Sequence, residues 1–262
     1  MRFAWELRLQ LEHMDVYPAD LILAVATASA TIFLGALPTK NIRSPFFARE
    51  TLKAAFAWGL VAILSPAAIL HFPVIFAILC LAAWKSFRSE SALSGKLWLG
   101  LASGLGISIG VVFILAVTPQ TYPTEASLAE QTLLLASIYL GGAIIGLAYV
   151  CYALAQSSKI NPGITASIVQ RYTGLLLTLV LARGVVMLGS SVLSLDFGLR
   201  PLSPGLDLEY LLVFLAVIIL PIFAFFARRS VRFSSRAQPT RLLVAICLVG
   251  AAAEFLARLL KV

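Results

Sequence analysis

Eight apolar stretches, each close to the length of a membrane crossing, constrain this chain more than any other feature. They run over roughly 18–38, 51–69, 72–87, 96–117, 131–155, 172–194, 209–227 and 241–260. Most approach the ~20 residues that a helix needs to cross ~30 Å of hydrocarbon. In lipid every backbone N–H and C=O must find a partner inside the segment, which an open strand cannot provide, so each stretch is predicted to be helical. Composition points the same way. Sixty per cent of the 262 residues are hydrophobic and 12% charged, against roughly 25% charged in a soluble domain. The sequence therefore predicts an all-α integral membrane protein, a bundle of about eight transmembrane helices.

The second and third stretches share Thr51 to Phe87, where Ser65-Pro66 and His71-Phe72-Pro73 interrupt the run. Proline removes a helical hydrogen bond, so this region reads either as a hairpin of two short helices or as one kinked helix. Charge parity favours the hairpin. Lys40, Arg43, Arg49 and Lys53 precede it, and Lys85, Arg88 and Lys96 follow it. Two basic flanks on one side require an even number of crossings between them. The segments holding Lys159 and Arg171, and Arg228, Arg229, Arg232, Arg236 and Arg241, continue the alternation. The intervening ones carry Glu125 and Glu130, then Asp196, Arg200, Asp207 and Glu209. Fourteen of the twenty basic residues fall on one side. By the positive-inside rule that side is the cytoplasm, and both termini are outside. Trp84 and Trp98 at the inner boundary, and Tyr17, Tyr122 and Tyr210 at the outer, suit interfacial anchoring. The expected location is a bacterial-type inner (plasma) membrane, multi-pass, with basic loops cytoplasmic.

Residues 1–17 form a leader whose acids and arginines do not read as a signal peptide. Phe3, Leu7, Leu11 and Met14 share a helical face, so an interfacial helix and a polar leader are both open. The bundle occupies 18–262. Within it Ala36-Leu37 and Pro45 recur 117 residues on as Ala153-Leu154 and Pro162. A four-plus-four duplication, 18–117 and 131–260, is one reading; chance likeness between apolar helices is the other.

Few side chains suggest chemistry. Arg183 and Glu254 lie deep in the sixth and eighth stretches, at similar depth. A charge there costs roughly 2.5–3.5 kcal/mol on insertion scales, so such residues usually pair. An Arg183–Glu254 ion pair is expected, either as a structural clasp or as part of a ligand or proton site. His71, at the hairpin tip, is the one histidine outside the leader. A bis-histidine haem is therefore not expected, while a hydrogen bond to a quinone carbonyl is compatible with its chemistry, as is a plain capping role. Arg171, Arg228, Arg229 and Arg232 suit contact with phosphate or acidic lipid head groups as well as topogenic charge. Gly100, Gly104, Gly106 and Gly110, and Gly141, Gly142 and Gly146, suit close helix packing within the chain or against a partner. Cys80, Cys151 and Cys247 lie in apolar stretches, without metal-site spacing, and read as packing residues.

The net charge of +8 is distributed as topology rather than as a nucleic-acid-binding stripe. No Walker A or HExxH motif occurs, and there is no credible Ser/His/Asp set. No metal site or catalytic residue is expected, and no cofactor beyond quinone or bound lipid. The outline, eight helices with both termini outside, is similar to that of the membrane anchor subunits of the DmsC/NrfD type, which handle quinol beside iron–sulfur or haem partners. The resemblance covers helix count and termini only and assigns no residue a role. It implies a non-catalytic membrane subunit, a quinone-interacting anchor of a respiratory or other electron-transfer complex, with membrane lipids and other protein subunits as partners. A small secondary transporter and a membrane scaffold or assembly factor are the alternatives.

Overall fold

The structure is a computed structural model describing residues 18–259 apart from 41, 65–70, 122–127, 159, 162, 193–217 and 234–237; side chains are described except at 18–22, 107–121, 128–135, 137–138, 187–192, 232–233, 238 and 254–259. The described residues are all-helical, with eight helices and no strands. In chain order they are α1 (Pro18–Ala36), α2 (Ser44–Leu64), α3 (His71–Arg88), α4 (Ala92–Thr121), α5 (Leu128–Ser157), α6 (Ala166–Val192), α7 (Leu220–Phe233) and α8 (Gln238–Leu259). Within these, His71–Arg88, Tyr139–Ser157 and Ala166–Val186 are long and apolar enough to cross a membrane. The leader and Tyr17, Tyr122 and Tyr210 lie outside the described residues.

The interrupted region 51–87 forms two helices, α2 and α3, packed along one another. The second element differs from the sequence expectation at its start. α2 begins at Ser44, with Pro45 in its first turn, where the missing N–H costs nothing and the fixed φ favours a helix. Arg49 and Lys53 are consequently helical residues rather than loop residues. Pattern alone missed this because charges in the first turns interrupt the apolar run without interrupting the helix.

Helix contacts pair off systematically. α1 packs on α2 and α4, as α5 packs on α6 and α8. The α2–α3 and α3–α4 contacts match α6–α7 and α7–α8, and the slighter α1–α8 contact matches α4–α5. α1 and α5 lie directly against each other at the centre. One core cluster joins α1–α4 around Ala28, Trp58, Phe76 and Cys80, with Trp58 and Phe76 rings 4.6 Å apart. The larger cluster draws on all eight helices, through Leu34, Phe47, Phe87, Leu99, Leu154, Leu176, Ala224 and Ile246. Outer faces carry large apolar side chains, among them Phe56, Ile63, Ile78, Leu97, Val185 and Leu248.

Glycine decides the central contact. A Cβ added at Gly146 would sit 2.6 Å from Ala26 O and 2.7 Å from Ala30 N, and one at Gly142 would run into Val25. At Gly146 the obstacle is largely backbone and at Gly142 the Val25 side chain, so α5 and α1 approach as closely as they do because no Cβ intervenes. Gly141 is buried as well. On α4 the picture is different. A Cβ at Gly106 would touch Ala28 at 3.2 Å, but at Gly100 and Gly104 it would meet no described atom within 4 Å; the surroundings of Gly110 lie outside the described residues. We predict that Gly146→Leu lowers stability by roughly 1–3 kcal/mol or more through overpacking, while Gly100→Ala stays within about 0.5 kcal/mol of the parent. Thermal unfolding of the purified variants in one detergent measures both.

Candidate functional site

The most polar interior site is built around Glu50, an acid that neither periodicity nor spacing singled out. Its side chain is 0% exposed. A buried carboxylate is tolerated only with charge and hydrogen-bond compensation, and three donors supply it. Arg49 Nε lies 2.7 Å from Oε1, Lys53 Nζ is 3.2 Å from both oxygens, and Tyr149 OH donates to Oε2 at 2.6 Å. Arg49 also donates through Nη2 to Ser157 Oγ at 2.5 Å. Helical spacing explains the local half: Glu50 and Lys53 stand three residues apart on one face of α2. The distant half comes from α5, whose last turns bring Tyr149 and Ser157 alongside because the helix lies between α1 and α8. Lys53 Nζ also stands 6.0 Å from the centroid of the Tyr149 ring. Two cations against one carboxylate leave the cluster with an excess of one positive charge. Arg49 and Lys53 are each nearly half exposed, which weakens their individual contributions by solvent screening.

Above this cluster opens a cleft of about 370 Å³ between α1, α2, α5 and α8. Leu23, Ala26, Ala30, Ala57, Ile145 and Cys247 help make its wall apolar. Its polar members are Thr27, whose hydroxyl is spent on the Leu23 carbonyl at 2.7 Å, and Lys53 and Tyr149, which are both bonded to Glu50. Chemically, the ammonium can donate to a carbonyl or anionic group. The Tyr149 hydroxyl can accept one hydrogen bond while it donates another to Glu50.

The residues expected from sequence fall elsewhere. His71 opens α3 and is exposed, and the far end of that helix carries Lys85 and Arg88. It belongs to neither the Glu50 cluster nor the lining of the cleft. Arg183 is buried within α6, at 2% exposure. Glu254 lies on α8, but its side chain, and with it the expected Arg183–Glu254 pair, lies outside the described residues. Arg171 is exposed on α6, and Arg228 and Arg229 on α7; the Arg232 side chain is outside the described residues. Basic residues gather at one end of the bundle. Lys96 at the start of α4 donates to Leu37 O beyond the end of α1 at 2.5 Å, Arg49 reaches Ser157 at the end of α5, and the Arg228 guanidinium lies near Gly174 in the first turns of α6. Cys80 and Cys151 are buried and Cys247 half-buried, and all three are free thiols. Among the described residues no His, Cys, Asp and Glu cluster forms a metal site. No family model, curated protein or solved structure matches the chain.

Glu50 was legible only as the one acid in the run Lys40 to Lys53, a charge out of keeping with its surroundings. A double-mutant cycle over Glu50→Gln and Tyr149→Phe is expected to give a coupling of about 1.5–3 kcal/mol, the range of hydrogen bonds to charged groups. Additive effects in unfolding experiments would show that the two side chains do not act together.

Proposed function

We propose that the chain crosses a bacterial-type inner (plasma) membrane eight times, with its basic helix ends cytoplasmic and both termini outside. In this reading it serves, without catalysis of its own, as a quinone-interacting anchor subunit of a respiratory or other electron-transfer assembly. The observation that carries the proposal is the apolar cleft closed at one end by Lys53, Tyr149 and Glu50. Its volume is in the range of small-ligand sites, in which a few placed polar groups orient a mostly apolar occupant. An isoprenoid-type tail is matched by the wall. A quinone carbonyl is matched by the Lys53 ammonium and the Tyr149 hydroxyl, and Glu50 behind Tyr149 offers a neighbouring proton acceptor. The exposed apolar sheath supports the membrane setting, because soluble monomers rarely present large contiguous apolar surface. The clustering of basic helix ends supports the orientation.

The topology is tested by cysteine labelling in intact cells, in a Cys247→Ser background that leaves only the buried thiols of Cys80 and Cys151. Ser89→Cys and Ser167→Cys, both exposed in the structure, should resist an impermeant maleimide until the membrane is opened; labelling from outside contradicts the orientation. The ligand is tested with the protein purified from native membranes in mild detergent. It should bind a short-chain quinone analogue, and Lys53→Ala or Ala57→Trp should weaken binding about tenfold or more, the equivalent of one lost polar contact. His71→Ala should leave binding unchanged. Absence of quinone binding and of stoichiometric partner subunits would remove this function.

A second reading, a small secondary transporter, is favoured by one observation: a fully buried arginine within α6. Intramembrane charges often mark substrate or proton paths. Under that reading the purified chain moves solute in proteoliposomes, and Arg183→Ala stops it.

A further inference from the structure

A second groove opens on the other side of the central α1–α5 pair. It is about 670 Å³ in volume and runs between α1 and α6. Ile32, Phe33 and Ala36 line it from α1, and Ile168, Arg171 and Leu175 from α6. We infer that this groove is the counterpart of the α2–α5 cleft across a pseudo-two-fold axis between α1 and α5, and that it holds an anionic phospholipid, with the head group on Arg171 and a chain along the apolar wall. The inference rests on the membrane reading of the chain, not on the quinone.

Three observations carry it. The first is the contact pattern: exchanging α1–α4 with α5–α8 maps each substantial helix contact onto another. That exchange carries the α2 and α5 walls of the first cleft onto the α6 and α1 walls of this groove, while the α1 and α8 walls of the first have no counterpart in its lining. The second is register. Arg49 and Arg171 are each the sixth residue of their helix, and Thr51 and Thr173 each the eighth. Both threonines are wholly buried and spend their hydroxyls alike. Thr51 donates to Phe47 O at 2.8 Å and Ala48 O at 3.1 Å. Thr173 donates to Val169 O at 3.0 Å and Gln170 O at 3.1 Å. The recurrence of Ala36-Leu37 as Ala153-Leu154 near the ends of α1 and α5 fits the same exchange.

The third observation is charge. At the seventh position α2 has Glu50 and α6 has Tyr172; at the tenth, α2 has Lys53 and α6 has Leu175. In the first cleft the arginine is met by a carboxylate at 2.7 Å. In the second no described carboxylate is bonded to Arg171, which is exposed at the mouth of an apolar groove and at the basic end of the bundle. A fixed cation beside an apolar channel complements a phosphate head group with an acyl chain, and each such cation contributes about 1 kcal/mol toward an acidic lipid surface.

The test uses the full chain, delipidated in neutral detergent and titrated separately with phosphatidylglycerol, phosphatidylcholine and inorganic phosphate while thermal unfolding and native mass spectra are recorded. Phosphatidylglycerol should bind and raise Tm by roughly 5 °C near saturation. Arg171→Gln should weaken that binding about fivefold. The charge-matched control Arg241→Gln, at an exposed site on α8, should not. Leu175→Trp, which fills the groove from its wall, should weaken binding with helicity retained by circular dichroism. Equal effects of the two lipids, stabilisation by phosphate alone, or equal behaviour of the Arg171 and Arg241 variants would each overturn the inference. A chain recovered in the soluble fraction without detergent would instead overturn the membrane reading beneath it. Loss of quinone binding in the same preparations would bear on the cleft alone.

Discussion

α5 lies on α1 with almost nothing between the two backbones, and the rest of the bundle is arranged around that approach. A larger residue at Gly146 would collide with the main chain of Ala26 and Ala30, and one at Gly142 with the Val25 side chain. Close backbone approach of this kind holds a helix pair together through many small dispersion contacts. The consequence is positional. Bringing α5 against α1 places Tyr149 and Ser157 within reach of α2, so the hydrogen bonds to Glu50 and Arg49 depend on glycines one to four turns away on the same helix. Grooves open beside the pair, one between α1, α2, α5 and α8 and one between α1 and α6.

Burying Glu50 is the expensive feature of this arrangement. An isolated carboxylate in such a place would protonate or unfold its surroundings. Here Arg49, Lys53 and Tyr149 satisfy it from two helices. A network of this kind contributes little net stability compared with an apolar replacement, yet removing one member leaves the others uncompensated. Its value is therefore specificity: it fixes the register of α2 against α5 and sets a polar end on a cleft that would otherwise be featureless. Arg49 and Lys53, which read from sequence as topogenic charge, carry that second role at no cost to the first.

What the sequence revealed follows from which signals survive without a third dimension. Helix number was legible from the apolar runs, but the seventh described helix, Leu220–Phe233, runs beyond the stretch expected at 209–227 and makes Arg228, Arg229 and Arg232 helical rather than loop residues. The α2–α3 hairpin was legible through charge parity across Pro66 and Pro73. The start of α2 was not, because Arg49, Glu50 and Lys53 look like loop although Ser44-Pro45 can begin a helix. Glycine spacing marked both α4 and α5, but spacing says nothing of what stands opposite. On α5, Gly146 faces the backbone of α1, whereas a Cβ added at Gly100 or Gly104 would meet no described atom within 4 Å. Glu50 stayed hidden for the same reason. Its importance lies in Tyr149, 99 residues away, and no local pattern encodes that distance.

The two sides of the central pair show how one scaffold supports unlike chemistry. Position for position, α2 and α6 offer an arginine one turn into the helix and a threonine turned back on its own carbonyls. They differ at the residues between and just beyond. Glutamate and lysine convert the mouth of one cleft into a compensated cluster that presents a donor and a proton acceptor. Tyrosine and leucine leave the other with a single cation on an apolar wall. The backbone geometry that makes a groove is common to both. The Glu50 cluster holds its arginine with an internal carboxylate and keeps one positive charge in excess, whereas no described carboxylate is bonded to Arg171.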